Sequence, residues 1–100
     1  MSHQALVVGG PLGRVELTGA ALASLVARSA EAVEGVRLRS RRRLNVVVGE
    51  SAVRVEIGVE AAVGAQLRDV GESVQHSVAR AVTATTGLPT QVDVTFEVIA

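Results

Sequence analysis

The sequence predicts an α+β fold in the order β-α-β-β-α-β, with two helices packed on one face of a small mixed sheet of the split βαβ kind. Three observations predict it. Residues 52–60 and 90–99 alternate apolar and polar side chains, the period of a half-buried strand. Residues 18–34 and 65–86 repeat apolar residues at i, i+3, i+4 and i+7, the period of a helix lying on a core. Glycine or proline punctuates the boundaries between them, at Gly35, Gly49, Gly87 and Pro89.

Taken in order, residues 1–12 read as a flexible tail ended by Gly9, Gly10, Pro11 and Gly13, and residues 13–100 as one domain. Residues 14–17 form a short strand with Val15 and Leu17 on one face. Thr18 offers a hydroxyl cap to the first helix, whose apolar face is Leu22, Leu25, Val26, Ser29, Ala30 and Val33. Gly35 stands where a left-handed residue closes a helix. Val36 and Leu38 begin an extended segment that an arginine run interrupts. Residues 44–49 resume it, Gly49-Glu50-Ser51 turns, and the return strand points Val53, Val55, Ile57 and Val59 one way. The second helix aligns Leu67, Val70, Val74, Val78, Ala81 and Val82, and Gly87 and Pro89 stop it. The final strand turns Val92, Val94, Phe96 and Val98 inward.

Composition excludes more than it assigns. The chain has 100 residues, 48% hydrophobic and 20% charged, which rules out a disordered segment. Twenty valines and fifteen alanines supply the apolar mass, and Phe96 is the only aromatic. The absence of cysteine removes disulfides, thiolate metal sites and a cysteine nucleophile. Two histidines, one at position 3, supply a metal site poorly. No stretch of about 18 apolar residues could cross a bilayer, and the opening MSHQALVVGGPLG lacks the basic start of a signal peptide. The expected location is therefore the cytoplasm.

Ten arginines, no lysine and ten acids give a formal net charge of zero. Five of those arginines, Arg37, Arg39, Arg41, Arg42 and Arg43, fall within seven residues and leave −5 on the rest. They are the candidate anion- or partner-binding residues, because guanidinium groups grip phosphates and carboxylates in a two-pronged fashion. A solvated, aggregation-resistant edge is the plainer reading of the same run. Gly10-Pro11-Leu12-Gly13 matches the GxxG loop of KH domains, but precedes a strand instead of joining helices. Glu72, His76 and Arg80 share a helix face near Ser73. A regular helix surface offers neither pocket nor oxyanion donors, so no catalytic, cofactor-binding or metal-ligating residue is expected.

Several of these segments resemble one known family. Gly13-Arg14-Val15-Glu16-Leu17-Thr18 and the helix closing on Val33-Glu34-Gly35-Val36 are similar to the opening of the alkaline shock protein family, the Gram-positive envelope stress response proteins. Residues 53–59 with Gly64, Leu67, Val70, Val74-Gln75 and Val78 resemble its hairpin and long helix. Thr86-Gly87-Leu88 and Val92-Asp93-Val94 resemble its closing helix–turn–strand. The resemblance implies a non-enzymatic cytoplasmic scaffold without cofactors. It would act through protein partners and self-association, and be held at the inner face of the membrane by a small membrane-anchor protein. The arginine run after Val36 departs from the family pattern. It carries the alternative expectation, an RNA- or polyanion-binding module, which the acidic remainder of the chain opposes.

Overall fold

A computed structural model describes residues 6–10, 13–38, 43–62 and 66–99. Strand β1 (Leu6–Gly10) pairs antiparallel with β2 (Gly13–Leu17) in a separate two-stranded ribbon. Helix α1 (Gly19–Glu31) follows, then β3 (Val36–Arg37), β4 (Leu44–Val48) and β5 (Val53–Ala62). Helix α2 (Leu67–Thr86) and β6 (Thr90–Ile99) complete the chain. The expected α+β class holds, with two helices and a small mixed sheet.

In that sheet β5 is central. β4 pairs antiparallel along its first half and β3 along its end, both on one side. β6 pairs parallel on the other side, in register from Val53↔Thr90 to Ala62↔Ile99. The two parallel strands are thus immediate neighbours joined by α2, and no third strand splits them. Among the described residues β2 pairs with β1 alone, so the position that the first strand takes in a split arrangement is filled by β6.

Local chemistry sets the boundaries. Thr18 caps α1, its Oγ1 accepting from Ala21 N at 3.1 Å. Gly87 takes the left-handed conformation (φ 73°) and donates its N–H to Thr83 O at 2.8 Å, ending α2. Gly49 N donates to Ala52 O at 2.8 Å and closes the β4–β5 turn.

The core is aliphatic. Leu22, Ala23, Val26, Ala27 and Ala30 of α1 meet Val74, Val78 and Val82 of α2 over Leu44, Val46, Val53, Val55, Ile57, Val59 and Val92 of the sheet. The buried stripe of α1 is turned towards Ala23 and Ala27, leaving Leu25 and Ser29 partly exposed. These alanines let the helix approach closely where the sequence supplies no large side chains. Phe96 packs half-buried against the core side of the sheet, touching α2 at Gly71. Base stacking on the open face is therefore unsupported.

One expectation needs correcting. Residues 6–10, assigned above to a flexible tail, form β1. Leu6-Val7-Val8 pairs with Val15-Glu16-Leu17, and Gly10 and Gly13 are register partners at the end of the two strands. The rest of the expected tail, residues 1–5, 11 and 12, lies outside the described residues.

Candidate interaction surfaces

The arginine run is only partly described: Arg39, Arg41 and Arg42 lie outside the described residues. Arg37 is exposed on β3, opposite Glu60 of β5. Arg43 does something the sequence did not disclose. Its side chain crosses β5 over Gly58, where an added Cβ would lie 2.8 Å from Arg43 Cδ and 3.0 Å from its Cβ. Its guanidinium then meets Glu97 of β6 at 3.5 Å, the two side chains 55% and 46% exposed. A residue next to one edge of the sheet is thereby strapped to the strand on the other. The missing side chain at position 58 makes the path.

The open sheet face is a field of paired charges. Arg54 lies between Asp93 (3.2 Å) and Glu56 (3.6 Å). Arg43, Asn45, Glu56, Gly58 and Thr95 edge a shallow recess of about 270 Å³. Glu60 is the one buried charged residue among the described residues, 7% exposed between its register neighbours Arg37 and Glu97. Among the described residues this face presents neither an aromatic platform nor a basic groove.

A second recess, about 630 Å³, lies between the helices and is lined by Leu25, Arg28, Ser29, Ala32, Ser77, Arg80, Ala81 and Ala84. Ser77 Oγ donates to Ser29 O and Ser29 Oγ to Leu25 O, each at 2.7 Å. Both hydroxyl hydrogens are thus occupied by backbone carbonyls. Neither Arg28 nor Arg80 takes part in the ion pairs formed among the described residues. On α2, Glu72 pairs with Arg68 at 3.5 Å, so the Glu72–His76–Arg80 row is an ordinary charged helix surface. Among the described residues no three histidines or acids come together as metal ligands.

The third surface is the outer edge of β6. Val53 N donates to Pro89 O at 2.9 Å. In a parallel ladder this directs the backbone groups of Gln91, Asp93, Thr95 and Glu97 towards β5 and those of Thr90, Val92, Val94, Phe96 and Val98 outward. The same alternation puts Gly49 opposite Ala52, as their hydrogen bond requires. Among the described residues no strand covers the outward row. Gln75 of α2 reaches it once, its Nε2 donating to Val92 O at 3.0 Å. Beyond that cap, residues 94–98 expose a regular edge with no proline and no bulge, because register runs one to one along all of β6. Sequence reasoning recognised this strand; its edge position could not be read before the strand order was known.

Comparison with protein-family models, curated proteins and solved structures gives no match for this chain.

Proposed function

We propose that this chain is a non-enzymatic interaction and scaffold module that works by association with other protein chains, itself included. The observation that carries this reading is the uncovered outer edge of β6. Natural sheets usually guard such an edge with lysine, proline, a bulge or a covering element. Here, among the described residues, a single glutamine caps a single carbonyl. The sequence resemblance to envelope stress response proteins supports a role in envelope homeostasis on the cytoplasmic side. Residence at the membrane would come through a small membrane-anchored partner, since no helix among the described residues is long and apolar enough to cross a membrane.

The polyanion-binding alternative draws on five arginines, but Arg43 is engaged with Glu97. With four remaining contacts to single-stranded RNA, log K against log salt would have a slope of about −2.8, from roughly 0.7 per phosphate. Light scattering over a micromolar concentration series tests the proposal, together with an absorbance ratio after a high-salt wash. The proposal expects a mass that rises above the 10.3 kDa monomer with concentration and no bound nucleic acid. A constant monomer that binds polyuridylate tightly with that slope would replace it by the polyanion reading.

A further inference from the structure

The uncapped stretch of β6, residues 94–98, has Phe96 at its midpoint, and this aromatic side chain, the only one in the sequence, is just half-buried there. Val94, two residues earlier on the same face, is half-buried as well. The edge thus offers partly exposed apolar side chains together with a row of outward backbone groups that no described strand covers. Both are satisfied at once when a further strand is added.

A strand edge can be completed by its own copy where its pattern is self-complementary. A two-fold axis sets two β6 edges antiparallel. Only even-numbered residues direct backbone groups outward, so even must stand against even and the axis falls on a whole residue. With the axis at Val94, Val92 faces Phe96 of the second copy and needs the carbonyl that Gln75 already holds at 3.0 Å. With the axis at Thr95, Val92 is needed again, and Asp93 stands opposite Glu97. With the axis at Glu97, the two Glu97 carboxylates oppose each other, and like charges directly opposite destabilise a pair of strands. The axis at Phe96 meets none of these obstacles. Val94 then pairs with Val98, Phe96 with Phe96 and Thr95 with Glu97. Every outward backbone group from 94 to 98 finds a partner, and Val92 O stays with Gln75.

We propose that two copies of this chain pair antiparallel through the outer edges of β6, about a two-fold axis at Phe96, and so join their sheets into one. The inference rests on the self-association reading and specifies its surface, register and closure. At the axis the two half-buried Phe96 residues form a hydrogen-bonded pair with Cα atoms about 5.5 Å apart, and each side chain covers exposed surface of the other. On the open face Thr95 stands opposite Glu97, whose carboxylate is held within its own copy by Arg43 at 3.5 Å. Asp93, held by Arg54 at 3.2 Å, lies outside the 94–98 overlap. The same surface serves in both copies, so association closes at a dimer, with β3 and β4 along its outer edges.

The chain has no cysteine, and Thr95 and Glu97 are exposed, so single-cysteine variants report the register directly. T95C and E97C are mixed and gently oxidised, with light scattering of the unmodified protein at the same concentration. In this register the two positions form a non-hydrogen-bonded pair with Cα atoms about 4.5 Å apart, inside the disulfide range of about 4.4–6.8 Å. Each position lies on the diagonal from its own copy, about 7–8 Å away, too far to bridge. The proposal expects a T95C–E97C disulfide dimer in the mixture and its loss when either variant is oxidised alone. It also expects a mass that levels off at twice 10.3 kDa. Bridging by T95C alone would overturn it in favour of an axis at Thr95, bridging by E97C alone in favour of Glu97, and bridging of Q91C with E97C in favour of Val94. Growth past the dimer would overturn closure through one surface. Assembly by light scattering with none of these products would overturn the β6 contact and leave the interaction reading standing on another surface. A constant monomer would overturn both.

Discussion

Replacing Gly58 by alanine should destabilise the protein, and doing so after Arg43 has been removed should stabilise it. In the native chain the new Cβ would stand 2.8 Å from Arg43 Cδ and 3.0 Å from Arg43 Cβ. A rotamer change can move Cδ away, but Cβ is fixed to the backbone, so the strand beside β5 must shift as well. Crowding of this sort costs about 1–3 kcal/mol. Displacing the half-exposed Arg43–Glu97 pair adds at most about 0.5 kcal/mol after solvent screening. Against this, alanine in a strand interior is about 0.5–1 kcal/mol better than glycine. The net expectation is a loss of about 1 kcal/mol, near 4–8 °C in Tm for a domain of this size. In R43A the obstructing side chain is gone and only the glycine-to-alanine gain remains, so G58A should raise stability by about 0.5–1 kcal/mol. Urea denaturation of the four proteins in the double-mutant cycle reads this inversion of sign. If G58A had the same effect with and without Arg43, the strap over Gly58 would not be what holds position 58 to glycine.

Three further outcomes follow from single features. G87A should cost about 1 kcal/mol through the left-handed backbone alone, because an added Cβ meets nothing within 4 Å; thermal melts would contradict this if the variant were as stable as the parent. L22A removes a side chain 1% exposed in the middle of the core and should cost about 2–5 kcal/mol by denaturant titration. R28A and R80A, which break no ion pair among the described residues, should each change stability by less than about 0.5 kcal/mol in the same assay.

Much of the fold was legible because local and tertiary signals agree. The expected bounds of the last strand coincide with β6. The left-handed glycine ending α2 and the inward turn of Phe96 were readable from alternation and helix-stop chemistry. The ribbon was missed because a short apolar run bordered by glycines looks the same in a tail and in a strand. Strand order was misread for a related reason. Periodicity shows which face of a strand is buried but not which neighbour it pairs with, and a βαβ unit serves equally well with its strands adjacent or split. The Arg43 strap depends on Gly58 lying beneath a residue 15 positions earlier, a relation that no local pattern encodes. The β6 edge, likewise, is a property of strand order and of where α2 sits.

Amide hydrogen exchange along β6, measured over a concentration series, tests the central claim most directly. The N–H groups of Gln91, Asp93, Thr95 and Glu97 point to β5 and should be protected at every concentration. Those of Val94 and Phe96 point outward and should exchange rapidly in dilute solution. If β6 is the surface through which this protein associates, the outward pair gains protection as concentration rises while the inward set is unchanged. Outward amides that stay equally fast in solutions where light scattering shows assembly would place the interface elsewhere and contradict the account.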